Sequence, residues 1–273
     1  MIKNIKIYNT KTGEFFKKEP LLPVLPFRNI KANYYPPEHK LNGGALQDLI
    51  EHCFSLEDQK LLLGYVGCAI NEPGYRWHKE NLMLLGKAGI GKTSLLNAIL
   101  SIFETTTVLK PSDFSKSSRF GMAKFPESDT VYVQEMETGN SDFCSTIKSI
   151  ASGADISIEK KGVDAFTLNG DYIPRLFFDG NTLPKSFANE VHDKAFIRRT
   201  LIIFPKCDFA QRGRNQKYNE EDLYKQECLD WLCQAANKVY EELDLKNIHD
   251  RIGNDSKGEN KYLDWDERYN RIY

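Results

Sequence analysis

Eight residues constrain this chain more than any others. Gly86-Lys87-Ala88-Gly89-Ile90-Gly91-Lys92-Thr93 matches G-x-x-x-x-G-K-[ST] in full and stands directly behind the apolar run Leu82-Met83-Leu84-Leu85. A loop of this kind wraps a triphosphate in backbone N–H groups. Its glycines permit turns that a Cβ would forbid. Lys92 sets its ammonium against the β- and γ-phosphates, and the Thr93 hydroxyl is placed to ligate Mg²⁺, with Ser94 following in the same turn. The context has the required order: a strand-like stretch at 81–85 leads in, and Leu95, Leu96, Ala98, Ile99, Leu100 and Phe103 mark the apolar face of a helix over 93–103. ATP and Mg²⁺ are therefore the expected cofactors.

Composition sets the bounds around this loop. With 273 residues and 41% hydrophobic content, the chain can bury one sizeable core with small flanking lobes. Its longest apolar stretch, 61–70, is too short to cross a bilayer and contains Gly64 and Gly67. The N-terminus alternates Lys and Asn with apolar residues, so no secretory leader is expected from it. No membrane partner is expected. The six cysteines form no C-x-x-C pair, and the five histidines have no metal-ligand spacing to them. Free thiols in a reducing cytoplasm are the expectation. A net charge of -1 excludes a globally basic nucleic-acid binder, so any contact with a polyanion has to come from a local patch.

The chain divides into four stretches. Residues 1–44 read as an N-terminal hairpin around Asn9-Thr10-Lys11-Thr12-Gly13, followed by an arm with Pro20, Pro23, Pro26, Pro36 and Pro37. Residues 45–80 carry apolar residues at helical spacing and read as a short helical lead-in. Over 81–206 strands and helices alternate, which predicts an α/β core with a mainly parallel sheet and helices on both faces. Residues 207–273 hold one or two amphipathic helices, read as a small lid, and a polar tail.

A phosphate loop needs an acidic partner on another strand to hold Mg²⁺ and orient the attacking water. The run Thr130-Val131-Tyr132-Val133-Gln134-Glu135 predicts a strand ending in a carboxylate, which assigns both roles to Glu135. Gln134 stands where a second acid is expected and Glu137 lies two residues on, so the division between metal and water stays open. A second apolar strand, Arg175 to Gly180, ends at Asn181, whose amide can reach a γ-phosphate or serve as a turn residue. Arg198 and Arg199 precede the apolar run 200–205. They are either an arginine finger for a neighbouring subunit or a charged cap on a strand.

Taken in order, these blocks resemble those of the superfamily 3 helicases, of the kind found at the C-terminal end of phage, plasmid and large-DNA-virus primase-helicases. The blocks are the loop at 86–93, the acidic strand ending at Glu135, a third stretch from Lys148 through Ser152-Gly153-Ala154-Asp155-Ile156, and Asn181-Thr182-Leu183-Pro184. The family's usual Gly-Gly-Asp is here Gly153-Ala154-Asp155. The likeness extends upstream, through Asn9 to Glu14 and Leu61 to Tyr65, and covers most of 5–205.

The resemblance implies a P-loop NTPase of AAA+-like fold that assembles as a ring, a hexamer in this family, with ATP at subunit interfaces and an arginine from the adjacent subunit at Arg199 or Arg198. It also implies a hairpin that projects into the ring channel and grips single-stranded or fork DNA. Residues 156–162 and 166–168 independently read as two strands about a polar turn, which would put Lys160 and Lys161 at the tip and Phe166 beside them. The implied setting is replication of a phage, plasmid or mobile element in a bacterial host's cytoplasm, with a primase or origin-binding protein on another chain. Two other readings share the nucleotide residues: a P-loop ATPase that does not unwind, such as a packaging motor, loader or remodelling factor, and a non-hydrolysing regulator of replication.

Overall fold

Along each central strand successive side chains point to opposite faces, and the two faces of the sheet bury different apolar sets. The computed structural model describes residues 29–35, 38–72, 74–75, 78–115, 117–183, 199–205 and 219–242, together with strands at 6–9 and 14–17. Five parallel strands form the sheet, in the order β4 (Thr106–Leu109), β5 (Thr130–Val133), β8 (Arg175–Gly180), β3 (Asn81–Leu85), β9 (Thr200–Ile203). Leu82, Leu84, Tyr132, Phe177, Leu201 and Ile203 face one core, while Met83, Leu85, Val131, Val133, Leu176, Phe178 and Ile202 face the other.

The first core is roofed by α1 (Gly44–Cys53), α2 (Leu56–Asn71), α3 (Lys92–Leu100) and α5 (Gln226–Glu242). Ser55 caps α2 by accepting from Asp58 N, satisfying one of the orphan donors of its first turn. The helical lead-in and the C-terminal helix share this layer: Asn71 Nδ2 donates to Asn237 Oδ1 at 2.7 Å, and Leu46, Leu62, Trp231 and Leu232 are buried together. On the opposite face lies α4 (Ser141–Ala151), whose Phe143, Ile147 and Ile150 pack with Ile156 and Ile158 of the hairpin β6 (Ile156–Lys160) and β7 (Val163–Leu168). The expected α/β architecture with helices on both faces is the one observed. A separate antiparallel pair, β1 (Lys6–Asn9) and β2 (Glu14–Lys17), forms the N-terminal hairpin. Its turn, the proline-bearing 18–28 and 36–37, and the tail beyond 242 lie outside the described residues.

A buried ion pair lies where β8 begins. Arg175 is fully buried, stacks over Tyr75 with 4.6 Å from the guanidinium carbon to the ring centroid, and donates to Glu72 Oε2 at 2.5 Å. Glu72 Oε1 in turn bonds His78 Nδ1. Cys68, Glu72 and His78 bring ligand atoms together there; the Arg175 guanidinium balances the Glu72 carboxylate, and burial pushes the Cys68 thiol well up. This is a structural ion group. Removing one partner strands the other charge in a dry site. Arg175→Met is expected to cost about 3–5 kcal/mol in urea unfolding, with part of the loss recovered when Glu72→Gln is added.

The expectation of six free thiols is corrected at Cys53, which is disulfide-bonded; Cys68, Cys144, Cys228 and Cys233 are free and buried. Bonding depends on which sulfurs the fold brings within reach, a property that spacing along the chain does not encode. Cys207 lies outside the described residues. Among the described residues no helix is long and apolar enough to cross a membrane.

Candidate nucleotide site

β3 ends at Leu85, and the chain turns through 86–91 into α3, which starts at Lys92. The turn needs left-handed backbone at Gly89 (φ 77°) and Gly91 (φ 94°), a conformation in which any Cβ is strained. A Cβ on Gly89 would meet open space, so it is the backbone and not crowding that demands glycine there. The first N–H groups of α3 point out of the helix toward the loop, where an anion satisfies them.

The Lys92 side chain folds back across the loop. Its Nζ donates to Gly86 O (2.7 Å), Lys87 O (2.7 Å) and Asn181 Oδ1 (3.1 Å). Lys92 is only 7% exposed. Burial lowers its pKa, while the nearby Asp179 and Glu137 carboxylates hold it up. Asn181 lies just beyond the end of β8 and bridges this lysine to an acid: its Nδ2 donates to Glu137 Oε1 at 2.8 Å and its backbone N to Glu137 Oε2 at 3.3 Å.

Thr93 meets a different carboxylate. Its Oγ1 donates to Asp179 Oδ2 at 2.9 Å; the Tyr132 hydroxyl donates to the same oxygen at 2.6 Å, and Glu135 N to Oδ1 at 3.3 Å. Burial and the Asp179 charge push the Tyr132 phenol well up, so it remains a neutral donor. Thr93 and the carboxylates of Asp179 and Glu137 are hard oxygen donors of the kind Mg²⁺ takes. The donor set therefore fits the expected ion.

The structure brings the loop 86–93, Ser94, Lys92, Thr93 and Asn181 to the C-terminal ends of β3 and β8, as the sequence expects. Glu135 is placed differently. β5 stops at Val133, so Gln134 and Glu135 lie outside the strand. Among the described residues Glu135 is the one non-glycine with positive φ (55°), and its half-exposed carboxylate pairs with Lys110 at 3.0 Å. Left-handed backbone cannot continue a strand ladder, which turns the side chain away from the line that the expected strand would have given it.

Arg199 sits at the opposite end of the sheet. Its carbonyl accepts from Asn81 N at 2.8 Å, and Asn81 pairs with Thr200 where β3 and β9 begin. Five residues of strand, roughly 16 Å, separate that point from Gly86. Arg198 lies outside the described residues.

At the hairpin, Lys160 is tied to Glu127 at 2.5 Å and only 26% of its side chain is exposed. Lys161 and Gly162 form the exposed turn, and Phe166 (36% exposed) lies on the outer strand with Val163 (58%). Asp179 and Tyr132 are the site residues that motif reasoning missed. A signal for Asp179 existed, as a single acid closing the apolar run Leu176-Phe177-Phe178.

Residues 84–199 match the model of a family described as "Family of unknown function (DUF5906)". That stretch carries every described nucleotide-site residue. No curated protein matches the chain. Among solved structures, the apo C-terminal region of NrS-1 superposes with a TM-score of 0.52 at 16% identity, covering 86% of this chain and 51% of that one. A further apo structure of the same region gives 0.50 at 15% identity, with the same coverage. This chain thus spans about half the length of the NrS-1 chains it matches. The JCV helicase gives 0.45 at 14% identity over 75% of this chain and 59% of that one, a likeness too slight to carry an argument. At such identities the NrS-1 likeness bears on the fold alone, a P-loop α/β fold with a mainly parallel sheet.

Proposed function

We propose that this chain is an ATP-hydrolysing motor domain of the superfamily 3 helicase kind, acting on single-stranded or fork DNA. One observation carries the reading. The Lys92 ammonium is held across a left-handed glycine loop and bonds Asn181, which in turn holds Glu137, while the adjoining Thr93 bonds Asp179. Such a cluster has a donor set for the phosphates and two carboxylates for metal and water.

In this reading the loop amides and Lys92 bind the β- and γ-phosphates, with Gly86 to Ser94 as the cradle. Mg²⁺, when bound, supplies charge neutralisation on the phosphates. Asn181 senses the γ-phosphate while it holds Glu137, and Glu137 orients the attacking water. Arg199 is too far along the sheet to serve its own loop, which favours a role at a neighbouring subunit's site in a homo-oligomeric ring, a hexamer in the family it resembles. The hairpin, with Lys161 at its turn and Phe166 beside it, is the proposed DNA contact. Replication of a phage, plasmid or mobile element, with a primase or origin-binding protein as partner, is the proposed setting.

A non-unwinding P-loop ATPase is the second reading, and the hairpin favours it to a degree. Lys160 is engaged by Glu127, and the outer strand exposes Val163 and Phe166, a surface more apolar than a phosphate-gripping tip needs.

The experiment is ATP turnover with and without single-stranded DNA, together with strand separation on a forked duplex. DNA-stimulated turnover with unwinding is the expected result, and turnover that is indifferent to DNA would favour the second reading. In the same assay Arg199→Ala and Lys92→Ala, each inactive alone, should recover part of the activity when mixed, because one retains the loop and the other the finger.

A further inference from the structure

We propose that the carboxylate serving Mg²⁺ at this site is Asp179, carried by β8, and not Glu135 beyond the end of β5. The inference rests on the nucleotide-hydrolysing reading above and assigns one of its roles.

Strand order is the first argument. β8 lies between β3 and β5, with Leu84 paired to Asp179 and Val133 paired to Phe178. The position beside Asp179 on the β5 side is therefore Gln134, the place where the sequence pattern expects an acid and has an amide instead. The missing negative charge is present one strand over, and closer to the loop.

Burial and bonding are the second argument. Asp179 is 5% exposed, yet among the described residues its hydrogen bonds come from two hydroxyls and one backbone amide, all neutral, and it takes part in no salt bridge. Three neutral donors orient a buried carboxylate but place no charge in contact with it. The Lys92 ammonium feels the Asp179 charge, but it spends its hydrogen bonds on Gly86 O, Lys87 O and Asn181. A cation bound beside Thr93 would give Asp179 a positive charge in direct contact. The Thr93 hydroxyl suits this arrangement, because its oxygen can offer a lone pair to an ion while its O–H still donates to Asp179.

Glu135 has neither property. Its carboxylate is 59% exposed and already carries Lys110 as counter-ion. Its backbone N–H is what reaches the site, as a donor to Asp179. The left-handed conformation at Glu135 thus aims an amide, and not an acid, at the metal side of the loop.

The test is Mn²⁺ affinity in the ternary complex with ADP, read by electron paramagnetic resonance on the full chain, with metal-free ADP affinity measured alongside. Asp179→Asn should weaken Mn²⁺ by about 10–100-fold and leave metal-free ADP binding unchanged. Glu135→Gln, an exposed change that leaves the core alone, should keep the wild-type Mn²⁺ affinity. Adding Gln134→Asp to Asp179→Asn should restore part of the lost affinity, a rescue that a purely structural role for Asp179 would not show. Wild-type Mn²⁺ affinity in a folded Asp179→Asn protein overturns the inference, and so does a loss of Mn²⁺ binding in Glu135→Gln, which remains decisive if Asp179→Asn does not fold. A wild-type chain that binds neither nucleotide nor Mn²⁺ overturns the parent reading instead.

Discussion

Lys92→Ala is expected to abolish nucleotide binding and lower turnover by at least about a hundredfold, while the protein remains folded. The ammonium is the donor the loop aims at a phosphate, and its tethers to Gly86 O, Lys87 O and Asn181 hold it in place before any nucleotide arrives. Because Lys92 is largely buried, its loss also leaves these acceptors without their donor, at a cost of about 1–3 kcal/mol. A small drop in melting temperature should accompany the loss of binding. Calorimetric titration with ATP and a thermal melt on one preparation check both parts. A folded Lys92→Ala protein with normal turnover would sink the site assignment.

Glu137→Gln should bind ATP with near-normal affinity and hydrolyse it about a hundredfold or more slowly. The carboxylate is held by two donors from Asn181, whose side-chain oxygen also receives the Lys92 ammonium. It therefore lies at the phosphate end of the cluster, where an attacking water has to be oriented. Glutamine keeps the size and one acceptor but loses the charge and the ability to take a proton. Single-turnover hydrolysis separates the chemical step from binding, and Glu135→Gln run beside it decides between the two acids. A loss of hydrolysis confined to Glu135→Gln would return the role to Glu135.

These two variants divide according to how visible their residues are along the chain. Lys92 sits in a contiguous string whose geometry is local, since the glycines, the lysine and the start of the helix that follows all lie within eight residues. Nothing distant has to be known for that loop to form. Glu137 is separated from Lys92 by 45 positions, the difference between the two numbers, and its hydrogen-bond path to the lysine runs through Asn181 from a third segment. Its role was open because residues 134 to 137 offer two acids whose directions depend on where β5 stops.

The hairpin shows the same limit. The alternation over 156–168 predicts two strands about a polar turn, and that is what forms. Which of the two lysines is held down is decided elsewhere, by Glu127, thirty-three residues away in sequence from Lys160. Likewise, helical spacing in 45–69 and 223–239 announces helices, but it cannot say that Gly67 lets α2 approach α5 so closely that a Cβ there would stand 2.6 Å from the Ala236 carbonyl.

The sequence by itself determined the phosphate loop, the parallel α/β order and the strand that leads up to Asn181, because each is written in short-range pattern: glycine spacing, apolar runs and the alternation of element types. Only the tertiary structure decided which acid faces Thr93 and at which end of the sheet Arg199 stands. Those facts depend on β8 being inserted between β3 and β5, and on β9 running parallel beside β3. Strand neighbours are chosen by long-range packing of two apolar faces, and a carboxylate on the intervening strand comes nearer to the loop than one on the strand beyond it.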